Sequence, residues 1–303
     1  PATQALTGQS YATIALNKSI SPWFVGQNYA TNGAPSSESE MGDSLVSYNA
    51  AAPGFTALTA NEFATFANSL NPQDNVRESL AANLSLTGDR TLNSLVLHAG
   101  LADATSGALA VTGSAGSVLT SGSGAFLFTL NPLAAASSDN TIELSGFTGG
   151  LRLTGSANEY VFHVINPGSS ALTPRLTASV PDPLATAAHI TKSGRGTLVL
   201  SGTNTAGGGI LTRGTTVNEG TLQIGDLAHI GGAVGFLNLS GGTLRLAPGF
   251  SQDLSLRTIN FPSAASTIDV TSNQLTFANP IGGAAGVNIG GLTKAGAGSL
   301  TLA

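Results

Sequence analysis

Four short runs along this chain share one alternation, a threonine followed by apolar, variable, apolar. They are Thr197-Leu198-Val199-Leu200, Thr221-Leu222-Gln223-Ile224, Thr243-Leu244-Arg245-Leu246 and Thr267-Ile268-Asp269-Val270, at spacings of 24, 22 and 24 residues. Alternation of this kind places every second side chain on one face of a strand. A period of this size predicts stacked short units, each of which needs a neighbour to cover its apolar face. The register then predicts one inward column of Leu198, Leu222, Leu244 and Ile268 and a second of Leu200, Ile224, Leu246 and Val270. Val199, Gln223, Arg245 and Asp269 are expected to point outward, with Arg245 and Asp269 as surface neighbours contributing about 0–1 kcal/mol. Gly196, Gly220 and Gly242 precede three of the units, where they are expected to supply positive φ at a tight corner; Ser266 takes that place in the fourth.

The same alternation runs through most of the chain. From residue 83 to 303, short β-rich runs such as Leu84-Ser85-Leu86, Leu95-Val96-Leu97, Phe126-Leu127-Phe128, Thr141-Ile142-Glu143-Leu144 and Leu275-Thr276-Phe277 are bounded by Gly, Ser, Asn or Asp. Residues 166–188 interrupt them with Pro167, Pro174, Pro181 and Pro183, and read as a proline-rich insertion in the coils. Residues 1–82 form a less regular region. Ala12–Leu16, Pro22–Val25 and Ser44–Tyr48 read as strands, taken with the rest as irregular rungs. Residues 59–70 read either as a short helix, with Phe63, Phe66 and Leu70 on one stripe, or as a surface excursion from a β-rung. At 22–24 residues per coil the whole chain predicts about twelve coils, and a strand spacing of about 4.8 Å makes a rod of roughly 55–60 Å.

The stretch Ile190–Gly225 carries more than a period. Ile190 to Gly202 reads ITKSGRGTLVLSG, Gly214 to Gly225 reads GTTVNEGTLQIG, and Leu292 to Leu302 returns the first half at an offset of 102 residues. These residues resemble the autotransporter-associated β-strand repeat, although Asn204-Thr205-Ala206-Gly207-Gly208-Gly209 departs from the usual aromatic-containing turn between the halves. The resemblance implies a right-handed parallel β-helix exported to the surface of a Gram-negative-type cell. It implies no reaction, because the repeat is a scaffold.

Composition narrows the remaining choices. Of 303 residues 41% are hydrophobic and 9% charged, the reverse of the balance that favours disorder. Eleven Lys and Arg against 16 Asp and Glu, with no basic cluster, argue against nucleic acid as a partner. Zero cysteines exclude disulfides and thiolate metal sites. No apolar run is long enough to span a bilayer. The chain starts at Pro1 without a leader and breaks off inside a repeat at Leu302-Ala303, so a piece of a longer polypeptide is expected.

Candidate chemistry is sparse. His98, His163, His189 and His229 lack metal-ligand spacing, so neither a zinc site nor a cofactor is expected. Glu38, Glu40 and Asp43 read either as a solvated loop or as oxygen ligands for a hard cation such as calcium, without the usual Asp/Asn alternation. Gly194-Arg195-Gly196 and Gly296-Ala297-Gly298 belong to the repeat and do not complete a phosphate loop. A polysaccharide lyase or hydrolase would want gathered carboxylates, whereas Glu143, Glu159, Glu219, Asp226, Asp253 and Asp269 are scattered in sequence. No catalytic residue is therefore assigned. The expected role is a stiff spacer or self-assembling fibre or sheath, with the chain itself or a surface polysaccharide as partner. The alternative is an adhesin, for which Trp23 and four tyrosines are few aromatics.

Overall fold

The computed structural model describes residues 20–26, 44–49, 54–58, 62–67, 71–80, 82–99, 108–130, 140–154, 157–165, 176–204, 213–231, 235–262, 265–282 and 290–302. The first three strands are β1 (Ile20–Gly26), β2 (Ser44–Asn49) and β3 (Gly54–Ala57), and they pair antiparallel. The expectation of rungs over this region is therefore corrected for these strands. Leu45 and Leu58 pack with Phe63 against Val96, Ala125, Leu127 and Ile165, so the meander is a layer laid on a sheet's outer face.

From residue 75 the strands fall alternately into two long parallel sheets. The first holds β4 (Asn75–Leu80), β6 (Arg90–Ala99), β8 (Val118–Leu130), β11 (Glu159–Ile165), β13 (His189–Ser193), β15 (Gly214–Val217), β17 (Phe236–Leu239) and β19 (Thr258–Asn260), in that spatial order. The second holds β5 (Leu84–Ser85), β7 (Ala108–Thr112), β9 (Asn140–Ser145), β12 (Leu176–Val180), β14 (Thr197–Leu200), β16 (Thr221–Ile224), β18 (Thr243–Leu246), β20 (Ala265–Asp269) and β22 (Gly291–Ala295). The side strand β10 (Gly150–Leu153) pairs with β8, and β21 (Gln274–Phe277) pairs with β23 (Ser299–Leu302) in a short third sheet. Successive coils wound into parallel sheets make a β-helix.

The inner columns follow the expected register. Leu198 pairs with Leu222, Leu222 with Leu244 and Leu244 with Ile268, and all four are fully buried. Leu200, Ile224 and Leu246 form the column beside them. Upward, Leu109, Ile142 and Ala178 extend the first column. Each buried aliphatic side chain contributes roughly 1.5–3 kcal/mol, so these columns dominate cohesion. In the wider coils Phe126, Tyr160 and Phe162 fill the interior, with Phe126 and Phe162 stacked at 5.1 Å.

Several expectations are corrected. The second sheet has nine rungs among the described residues. Part of the N-terminal chain builds the outer layer, and insertions lengthen the early coils. Val111 pairs with Leu144 and Ile142 with Ala178, coils of 33 and 36 residues. Inside the proline-rich stretch 166–188, β12 is a full rung, and Leu184 is buried and bridged to Leu151. Across the described residues 62–67 no α-helix forms; Ala64 bridges in parallel to Val76. The reason is that Phe63 packs into the outer-layer cluster while Ala64 and Phe66 enter the main core, two directions that one helical stripe cannot serve.

The corners are also more specific than expected. Gly220 takes a positive φ of 63°, but Gly196 and Gly242 do not. Those two are required by crowding: a Cβ would stand 2.6 Å from Val164 Cγ1 at Gly196 and 2.4 Å from Val217 Cγ1 at Gly242. Ser266 is fully buried and its hydroxyl donates to the Leu239 carbonyl.

Candidate binding surface

The expected candidates for chemistry are dispersed by the fold. His98 and His163 are buried in β6 and β11. His229 Nδ1 accepts from Gly225 N at 3.1 Å within a corner, and burial pushes its imidazole below the ordinary value. No group of three or more His, Asp or Glu that could hold a metal ion occurs among the described residues. Glu38, Glu40 and Asp43 lie outside the described residues. Burial, with a smaller push from nearby Glu143, raises the Asp182 carboxyl above its ordinary value, and its carboxylate accepts from Phe147 N at 2.9 Å as a corner anchor. Gly194 and Gly296 turn the two copies of the repeat with φ of 78° and 82°.

Two polar side chains that the sequence pattern does not single out hold the corners. Lys192 occupies an inward position between Phe162 and Val217, fully buried. Its ammonium donates to the carbonyls of Ser193 at 2.9 Å and Gly194 at 2.5 Å, and to Glu219 of the next coil at 3.0 Å. A buried ammonium is tolerable when its donors are satisfied in this way. Lys294 makes the matching contact in the second copy, donating to Gly296 O at 2.7 Å, but on an exposed rung. Asn204 joins three coils: it accepts from Leu184 N at 2.6 Å, donates its side-chain amide to His229 O, and bonds Ala228 O through its backbone N at 2.9 Å. The signal for both is the motif itself, since T-K-x-G and S-G-T-N place polar residues at corners.

The two copies are not equivalent in place. Ile190 lies in the first sheet, whereas Leu292 lies in the second, where β22 stacks on β20. Strand, glycine corner and lysine clamp thus form a portable unit that starts on either face.

Outer faces remain as surfaces for contact. On the second sheet, Thr141, Thr177, Thr197, Thr221, Thr243, Thr267 and Thr293 pair in one unbroken line. Beside it runs the column Glu143, Ser179, Val199, Gln223, Arg245 and Asp269. The first sheet divides. Its β6–β11 half carries the outer layer on Val96, Ala125, Leu127 and Ile165, with His98, Thr129 and His163 also buried there, while its β13–β19 half is mostly polar. There Glu159, His189, Gly214, Phe236 and Thr258 form one outward column, and Thr191, Thr216, Asn238 and Asn260 form the next. Thr191 donates to Glu159 Oε1, and Asn260 Nδ2 donates to Asn238 Oδ1 at 2.8 Å. His189 Nε2 and Thr216 Oγ1 share a hydrogen bond of 2.9 Å, its direction set by the tautomer. Burial holds the His189 imidazole below its ordinary value against the pull of Glu159. No helix of the described residues is long and apolar enough to cross a membrane.

Comparison with known proteins agrees with this architecture. Residues 190–224 and 292–303 match the family model of the passenger-associated-transport-repeat. Over 127 residues, 42% of this chain, the sequence is 33% identical to the adhesin BmaC autotransporter of Brucella suis biovar 1 (strain 1330). That match spans 3% of the relative's own length. No solved structure matches. Its stacked parallel rungs, its two repeat segments and its similarity to an autotransporter adhesin make this chain an autotransporter-passenger-like repeat protein.

Proposed function

We propose that this chain is a rigid structural segment of a surface passenger, acting as a spacer or packing side by side with copies of itself into a fibre or sheath. The observation that carries the reading is the unbroken inner column from Leu109 through Ile142, Ala178, Leu198, Leu222 and Leu244 to Ile268, which couples each coil to the next. A solenoid held by such columns is stiff along its axis and adds length with every coil. The reading assigns no reaction to the chain. Duplicating residues 198–243, two coils, is expected to lengthen the particle by about 9–10 Å with unchanged width in small-angle scattering. A compact, wider particle would contradict it. Sedimentation velocity across a concentration series then separates spacer from fibre: a constant monomer favours the spacer and concentration-dependent growth favours the fibre.

A second reading, adhesion, is favoured by the adhesin name of the similar passenger and by the open polar half of the first sheet. Saturable binding of the segment to host cells or to immobilised polysaccharide would support it.

A further inference from the structure

The outward column of the first sheet contains a notch. Gly214 pairs with His189 on one side and, one residue before the Thr215–Leu237 pair, faces Phe236 on the other. With no side chain between them, the rings of His189 and Phe236 lean together from coils two apart, their centroids 5.2 Å apart and tilted by 37°. A Cβ on Gly214 would stand 2.9 Å from Phe236 Cδ2, so the glycine makes room for this pair. Both rings are half-exposed. The pair lies on the outer face of the sheet, away from the core, and presents part of its apolar surface beside hydroxyl and amide groups.

The flanking column supplies those groups at one per coil. Thr216, Asn238 and Asn260 are half-exposed and successive rungs stand about 4.8 Å apart. Thr216 and Asn238 thus sit directly beside the ring pair. Glu159 closes one end of the patch, and the exposed Arg213 precedes Gly214 at its rim, so acid and base balance. The covered half of the same sheet packs Val96, Ala125, Leu127 and Ile165 against the outer layer, with His98, Thr129 and His163 buried among them. On β13–β19 the outward columns carry Phe236 amid Thr and Asn side chains. A face of regularly spaced hydroxyls and amides around an uncharged ring pair complements a linear polymer that itself carries regular hydroxyls and apolar C–H faces.

We infer that the outer face of β13, β15, β17 and β19 binds an extended, uncharged polysaccharide along the coil axis, with His189 and Phe236 as the stacking platform and Thr216, Asn238 and Asn260 as the hydrogen-bonding rail. The inference rests on the adhesion reading and names its partner class. Aromatic pairs at binding surfaces gain from stacking beyond their buried area, and polar side chains fix orientation.

The test uses the whole chain against a soluble mannan, a β-1,3-glucan and a galactan, with heparin and polygalacturonate as anionic controls, by calorimetry. Saturable binding to at least one neutral polymer is expected. Phe236→Ala is expected to weaken it at least tenfold and Phe236→Tyr to retain it. Thr216→Val is expected to weaken it several-fold with an unchanged melting temperature, and Val199→Ala on the other sheet to leave it intact. No neutral polymer bound, binding confined to the anionic controls, or equal binding by Thr216→Val and Phe236→Ala would overturn the site. So would a change of oligomeric state on Phe236→Ala without any glycan affinity, which would assign the face to a second copy. Binding to cultured epithelial cells is measured on the same variants: cell binding that survives both substitutions sinks the site and leaves adhesion standing.

Discussion

Arg245 Nε donates to Asp269 Oδ2 at 2.9 Å across one coil of the helix, 24 residues apart in sequence. The contact follows from register alone, since both residues are the outward member of the same alternation. Asp269 also accepts from Thr271 N at 2.9 Å, which anchors a corner where Thr271 takes a φ of 51°. Burial by itself would push the Asp269 carboxyl up, but the Thr271 bond and the Arg245 pair together hold it below the usual range.

Removing the pair is expected to cost little. The Arg245 side chain is 38% exposed, so Arg245→Ala should lower stability by about 0–1 kcal/mol, and less at high salt. The pH dependence has a definite sign. A carboxyl with a depressed folded pKa contributes stability above its unfolded value that is lost as pH falls through the folded one. Asp269→Asn should therefore flatten the acid limb of a melting-temperature profile and leave the neutral region almost level. An unchanged acid limb would remove Asp269 from the account.

The two motif lysines are expected to differ sharply. Lys192→Ala leaves carbonyls of Ser193, Gly194 and Glu219 without that donor in a buried corner, and opens a cavity. A loss on the order of 3 kcal/mol follows. Lys294→Ala removes one contact on an exposed rung and should fall within about 0.5 kcal/mol. Chemical denaturation of the two variants reads this directly, and equal losses would contradict the clamp.

Thr215 points inward between Ile190 and Leu237, and its hydroxyl has no hydrogen-bond partner. Thr215→Val keeps the shape and removes the unsatisfied group. It should raise stability by about 1 kcal/mol. A lower melting temperature would show that the hydroxyl is satisfied in solution.

How far the sequence could be read follows from what repeats. Leu198, Leu222, Leu244 and Ile268 recur at nearly constant spacing with apolar partners two residues on, so their stacking and the Arg245–Asp269 pair were both open to inference. Lys192 was legible only as the lysine of T-K-x-G and not in its role, because a charge at an inward position contradicts the alternation until its three carbonyl partners are seen. The outer meander alternates like a rung, and no local signal distinguishes a strand that stacks from one that lies across a sheet. His189 and Phe236 are separated by 47 residues and meet only because Gly214 lies between them. The early coils are longer than the later ones, 33 and 36 residues, yet they keep the same in-out register.

Disulfide trapping tests the stacking of coils most directly, because the chain contains no cysteine of its own. Val199 pairs with Gln223 on adjacent rungs, and Gln223 with Arg245 on the rung after that. Neighbouring rungs at about 4.8 Å fall inside the Cα separation of about 4.4–6.8 Å that a disulfide requires, and rungs two apart do not. Oxidation should close Val199→Cys with Gln223→Cys and leave Val199→Cys with Arg245→Cys reduced. Closure of the second pair, or failure of the first while both variants stay folded, would contradict the stacked-coil account.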